Sequence, residues 1–110
     1  MTLLYLDSDH MGRGDAALGR KLLKSFLGEL LASPHTPDLI GCLNHGVLLT
    51  TEGSPVLDEL RALQAKGARV ASCGTCLDVL GLRDKLQVGE VGGMSTTVEL
   101  LNTAERVIRI

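Results

Sequence analysis

Short, unbroken apolar runs alternate with longer segments whose leucines recur every three or four residues, and few folds accommodate that alternation. Leu3-Leu4-Tyr5-Leu6 is apolar at consecutive positions, the pattern of a strand buried on both faces. After Asp7-Ser8-Asp9 and the turn residues Gly12 and Gly14, Asp15 is placed to cap a long helix. In that helix Leu18, Leu22, Phe26 and Leu30 lie four apart, with charged residues mostly between them, and Ser33-Pro34-His35-Thr36-Pro37 ends it. Leu39 to Leu43 reads as a second strand, Asn44 to Gly53 as a loop, and Ser54-Pro55 as the start of a second helix that stops at Gly67. Ala68 to Ser72 is a third strand leading into Cys73-Gly74-Thr75-Cys76, followed by a short helix from about Cys76 to Gly81 and another beginning near Leu82. Val88 and Val91 suggest a short fourth strand, Ser95 caps a last helix through about Thr103, and Arg106 to Ile110 alternates as a closing strand.

This order predicts an α/β fold, a three-layer α/β/α sandwich on a mostly parallel sheet of about five strands. A length of 110 residues fits one domain, residues 1–110. In such sheets chemistry gathers at the carboxyl ends of the strands. Three loops are expected there: Asp7 to Asp15, Asn44 to Gly53 and Cys73 to Cys76.

Composition removes several function classes. Aromatic residues make up only 2%, too few for base-stacking platforms, and the net charge of −2 offers no pull toward phosphate backbones, so nucleic acid is not an expected partner. No apolar run approaches a membrane span, and no basic leader precedes the first strand. Three cysteines without a secretion signal point to reduced thiols and a cytoplasmic location.

Cys73 and Cys76 are the candidate catalytic residues. A thiol where a strand gives way to a helix is stabilised as thiolate by free backbone N–H groups. Cys73 precedes the helix and is the expected nucleophile or persulfide carrier. Cys76, in the first turn, is a resolving thiol or a packing residue. Gly74 and Thr75 form the turn and are candidate binding residues. Gly12-Arg13-Gly14 resembles an anion cradle, with Arg13 able to steer an anionic sulfur species; Gly12 and Gly14 match a dinucleotide fingerprint, but position 17 is Ala. Asn44 and His45 follow the second strand, His45 as a possible base or thiolate partner. Cys42 is expected to be buried and inert. No second CxxC or HxxxH accompanies the first, so neither a metal site nor a cofactor is expected.

Three segments carry a resemblance: SDHMGRGDAALGRKLLKSFL, HGVLLTTEGSPVLDEL and, most specifically, SCGTCLDVLGLRDKLQVGEVGGM. With them the chain resembles the DsrE/DsrF-like family of sulfur-relay proteins, most closely the DsrE-like C-terminal domain of YedF-type proteins associated with selenium metabolism. The resemblance implies a homo-oligomer and a cysteine at a strand end that accepts sulfur as a persulfide, at the position of Cys73. It implies as partner a TusA-like sulfur carrier or a small persulfide or thiol. Three functions stay open on the residues: a sulfurtransferase or persulfide carrier, a non-catalytic oligomeric module that docks a sulfur carrier, and a dithiol redox protein cycling Cys73 and Cys76. Exposed aliphatic residues in Gly89 to Met94 and the closing strand are the expected contact surfaces.

Overall fold

The computed structural model describes all 110 residues. Five strands, β1 (Thr2–Leu6), β2 (Leu39–Cys42), β3 (Arg69–Cys73), β4 (Glu90–Gly92) and β5 (Arg106–Arg109), form one sheet in the order β4-β3-β2-β1-β5. Every neighbouring pair is parallel. Four α-helices connect them: α1 (Ala16–Ala32), α2 (Leu57–Ala65), α3 (Gly74–Val79) and α4 (Met94–Thr103).

The strand order decides where the helices go. From β1 to β4 the chain steps in one direction, so right-handed crossovers place α1, α2 and α3 on one face of the sheet. The return from β4 to β5 runs the opposite way, from one edge of the sheet to the other, and puts α4 alone on the second face. The two faces are correspondingly unequal. On the first, Leu4, Leu6, Ile40, Cys42 and Val70 meet Leu23 and Leu27 of α1, Leu60 and Leu63 of α2, and Leu77 of α3 in one core cluster. On the second, α4 buries none of its residues. Edge to edge the sheet spans about 19 Å, at about 4.8 Å per strand, whereas ten helical residues reach only about 15 Å. One short helix crossing the whole sheet cannot close over it. The sandwich is three-layered as expected, with a third layer one helix thick.

Local capping mostly follows the sequence. Asp15 accepts the Leu18 amide at 2.9 Å and starts α1. Ser54 accepts the Val56 amide at 3.1 Å, but α2 begins only at Leu57 because Val56 turns inward and is buried in the core. The segment after β2 is not a loop. Asn44–Leu49 is a 3-10 helix whose Val47 and Leu49 are buried, so its apolar residues belong to the core rather than to an exposed turn. The segment expected to begin a helix near Leu82 forms only a single 3-10 turn, Arg83–Lys85.

α1 and α2 are joined by Lys24, whose Nζ donates to Glu59 Oε2 at 2.7 Å and to the Pro55 carbonyl at 2.8 Å. The hydrogen bond from Lys24 holds the Glu59 carboxyl below its ordinary value of 4.5, against a smaller opposing effect of burial. At Asp9 burial works against ionisation, but hydrogen bonds from His10 and Arg20 outweigh it, and this carboxyl too is lowered. A lowered folded-state value means the unfolded chain takes up protons first as pH falls. The stabilisation is therefore fully present above 4.5 and lost as pH drops through the lowered folded values. Melting temperature against pH is expected to show a shallower acid-side fall in Glu59→Gln than in wild type. An equal slope would contradict the assignment.

Candidate functional site

Cys73 is both the last residue of β3 and the N-cap of α3. Its Sγ accepts the backbone N–H of Cys76 at 3.4 Å, so the free N–H end of the helix faces the sulfur. Cys76 lies in the first turn of α3, with its own sulfur beside that of Cys73. Burial pushes Cys76 up, the Cys73 contact adds to the shift, and the Asn44 amide opposes it without cancelling it. Cys76 therefore stays a protonated thiol beside its half-exposed neighbour. Cys42 ends β2 on the buried first face, where burial pushes its thiol up to about 12, and it is inert as expected.

The 3-10 helix after β2 reaches the same place. Asn44 donates its backbone N–H to Cys76 Sγ at 3.1 Å. It does so from the left-handed region, φ 51°, which Asn tolerates better than most residues. Gly46 seats this segment against the end of β1: a Cβ there would lie 2.0 Å from the Leu6 carbonyl oxygen. Behind the turn, the buried hydroxyls of Thr50 and Ser72 share a hydrogen bond of 2.7 Å that ties the segment to β3 one residue before Cys73. Arg83 braces the turn from outside, holding Asp78 with two hydrogen bonds at 2.6 and 3.0 Å and reaching the Gly74 carbonyl at 3.4 Å. Gly74 is buried under that arginine, and its Cβ position lies 2.9 Å from Arg83 Nη2.

The structure thus brings together Cys73, Gly74, Thr75, Cys76 and Asn44. His45 is exposed, and its ring makes no hydrogen bond. Gly12, Arg13 and Gly14 are also exposed, Gly12 at φ 80°. Their loop folds back on α1 through the Met11 amide to the Gly19 carbonyl at 3.0 Å, and Arg13 forms no ion pair. No group of three or more His, Cys, Asp or Glu side chains is placed to hold a metal ion.

Tyr5, Ser72, Thr50 and Arg83 were not singled out from sequence. Tyr5 is the most informative. On the second face it shares a row with Arg109, Gly41, Ala71 and Glu90. Burial first, then the charge of Asp7, raises the Tyr5 phenol against the opposing charge of Arg109, and both cysteines push upward, so the hydroxyl stays protonated. The available signal was parity: Tyr5 is the one tyrosine, and alternation sets it opposite the buried Leu4 and Leu6.

The fold recurs in solved structures. A protein of unknown function from Methanobacterium thermoautotrophicum, MTH1491, is 20% identical over 99% of this chain and 97% of its own, with a TM-score of 0.73. The ychN protein of E. coli is 15% identical over 99% and 98% of the two chains, TM-score 0.65. A conserved protein of unknown function from Bacteroides thetaiotaomicron, BT1422, gives 16% identity, coverage of 99% and 94%, and a TM-score of 0.65. No curated protein sequence matches significantly. The model of the DsrE/DsrF-like family matches residues 38–110, which carry β2 to β5 and both turn cysteines. The chain belongs to that family. The DsrE/DsrF-like family is generally associated with sulfur relay. No helix is long and apolar enough to cross a membrane.

Proposed function

We propose that this DsrE/DsrF-like chain, acting as one unit over residues 1–110, is a persulfide carrier or sulfurtransferase whose working sulfur is Cys73. The observation that carries the reading is the pairing of a half-exposed Cys73 at a helix cap with a Cys76 thiol kept protonated beside it. Cys73 is the nucleophile, and Cys76 and the Asn44 amide hold the turn around it. Within the family, the CGTCLD stretch aligns the chain with the YedF-type branch, and its three free thiols suit a reducing cytoplasm.

A second reading has its own support. Val91, Met94, Val98, Leu101 and Val107 are large apolar side chains left exposed on β4, α4 and β5. They suit a contact with a further copy or with a TusA-like carrier approaching from the α4 side. Sulfur loading tests the first reading. Wild-type protein incubated with inorganic polysulfide is expected to gain the mass of one sulfur on the peptide holding Cys73, reversed by dithiothreitol. Complex formation with a carrier but no sulfur gain would favour the docking module instead.

A further inference from the structure

The single-helix third layer leaves a cavity of about 560 Å³ between α4 and the sheet. Its floor is low because the central positions of the row behind Tyr5 are Gly41 and Ala71. Leu3 and Leu39 continue the floor, Thr97 and Leu100 of α4 line the opposite wall, and Cys73 stands at the carboxyl end. The volume is that of a site for a small organic molecule.

Three features restrict the occupant. Backbone groups of the floor are spent in the parallel sheet, and those inside α4 are spent in the helix, so a peptide laid here would bury its amides unpaired. At the rim Arg69 pairs with Glu90 and the Met1 amine with Glu105, while Asp38 takes the Thr2 amide and has no cation partner, so no unpaired cation recruits an anion. At the carboxyl end stand the Cys73 sulfur, which accepts only the Cys76 amide, the Tyr5 hydroxyl, which no protein group engages, and the first turn of α4, which no side chain caps.

We propose that this cavity binds a small neutral thiol or persulfide with an apolar body, seated over Gly41 and Ala71 with its sulfur end against Cys73. The transfer it supports rests on the persulfide reading above. The Cys73 thiolate attacks the terminal sulfur of R–S–S–H, a new S–S bond forms to Cys73, the donor's own S–S bond breaks, and R–S⁻ leaves with the electron pair. Cys73 ends as the persulfide, retaining the donor's proton, and no outside oxidant or reductant is consumed. Tyr5 donates a hydrogen bond to the departing thiolate.

The chain reports on this site directly, since it has one tyrosine, no tryptophan, and that tyrosine lines the cavity. Titration with octane-1-thiol is expected to change Tyr5 emission saturably. Gly41→Leu fills the floor; the nearest atom to a Cβ there is Leu3 Cδ1 at 3.7 Å, an ordinary contact. Ala71→Leu fills it from the next strand. Each is expected to weaken binding by about tenfold or more, with an unchanged circular dichroism spectrum and unchanged loading by inorganic polysulfide. Octyl persulfide should load Cys73 in wild type and fail in both variants.

An emission that ignores the thiol, or variants that bind as wild type does, would overturn the inference. So would emission that follows protein concentration, because the occupant would then be a second copy. Failure of the sulfur reading looks different: polysulfide leaves Cys73 unmodified while the octane-1-thiol titration stands, which overturns the transfer step and leaves the binding site.

Discussion

Cys73→Ser is expected to abolish sulfur loading, a loss of at least about 100-fold, because a serine hydroxyl is not a competent nucleophile toward sulfur at neutral pH. Size and hydrogen-bonding capacity barely change, and a serine oxygen can take the Cys76 amide that Cys73 Sγ now accepts. Folding is therefore expected to survive, and the loss reads chemistry. Cys76→Ser separates the two thiols. It should load sulfur at a rate within about threefold of wild type, since the attacking group is intact. Its persulfide should also last longer. In wild type the Cys76 thiolate, once formed, attacks the inner sulfur of the Cys73 persulfide, yielding a disulfide and releasing HS⁻. Intact-mass measurements over time distinguish the variants, and equal loading of both would remove Cys73 from its role.

Gly46→Ala carries the largest structural effect. The added methyl would lie 2.0 Å from the Leu6 carbonyl oxygen and 2.9 Å from its carbon, both backbone atoms at the end of a central strand. Neither can yield as a side chain would. The same oxygen accepts the Leu43 amide at 3.1 Å, so displacement breaks the link that starts the 3-10 helix. A cost of about 2–3 kcal/mol follows for overpacking of this kind. At roughly 4–8 °C per kcal/mol for a chain near this size, the melting temperature falls by about 10–20 °C. Asn44 moves with the segment, so the Cys76 sulfur loses its backbone donor as well. Calorimetry checks the stability, and a shift under about 3 °C would mean the segment relaxes without strain.

The sheet was legible because its three inner strands are largely buried runs and a helix separates each consecutive pair of strands. Leu39 to Cys42 and Arg106 to Arg109 fall within the runs that the apolar pattern marks. The CGTC turn was legible for the same reason, as the junction of a strand and a helix, although the strand runs one residue past Ser72 to Cys73 and the helix starts at Gly74 rather than Cys76. What escaped depends on register. Tyr5, Gly41 and Cys73 share a face only once β1, β2 and β3 are aligned, and no local pattern states that alignment. Val47 and Leu49 escaped differently. Their segment has a loop's glycine and polar residues, yet the core needs its two apolar side chains, and burial overrode local propensity. Arg13 shows how far local pattern reaches. A glycine-flanked arginine before a helix looks like a cradle, but its loop is held on α1 by Met11 and Gly19.

The solitary position of α4 also sets how the molecule opens. The core cluster contains no residue of α4 or β5: α4 buries nothing, and β5 pairs only with β1, along an outer edge. The last two elements can detach as one cooperative unit while the remaining four strands stay paired. Amide protons of residues 94–109 are therefore expected to exchange at a lower opening free energy than those of β1 to β3, a ranking that native-state hydrogen exchange reads directly. Uniform protection across the sheet would refute it. Such an opening uncovers Gly41 and Ala71 without disturbing the leucines on the other side, so entry to the cavity requires only a fraction of global unfolding.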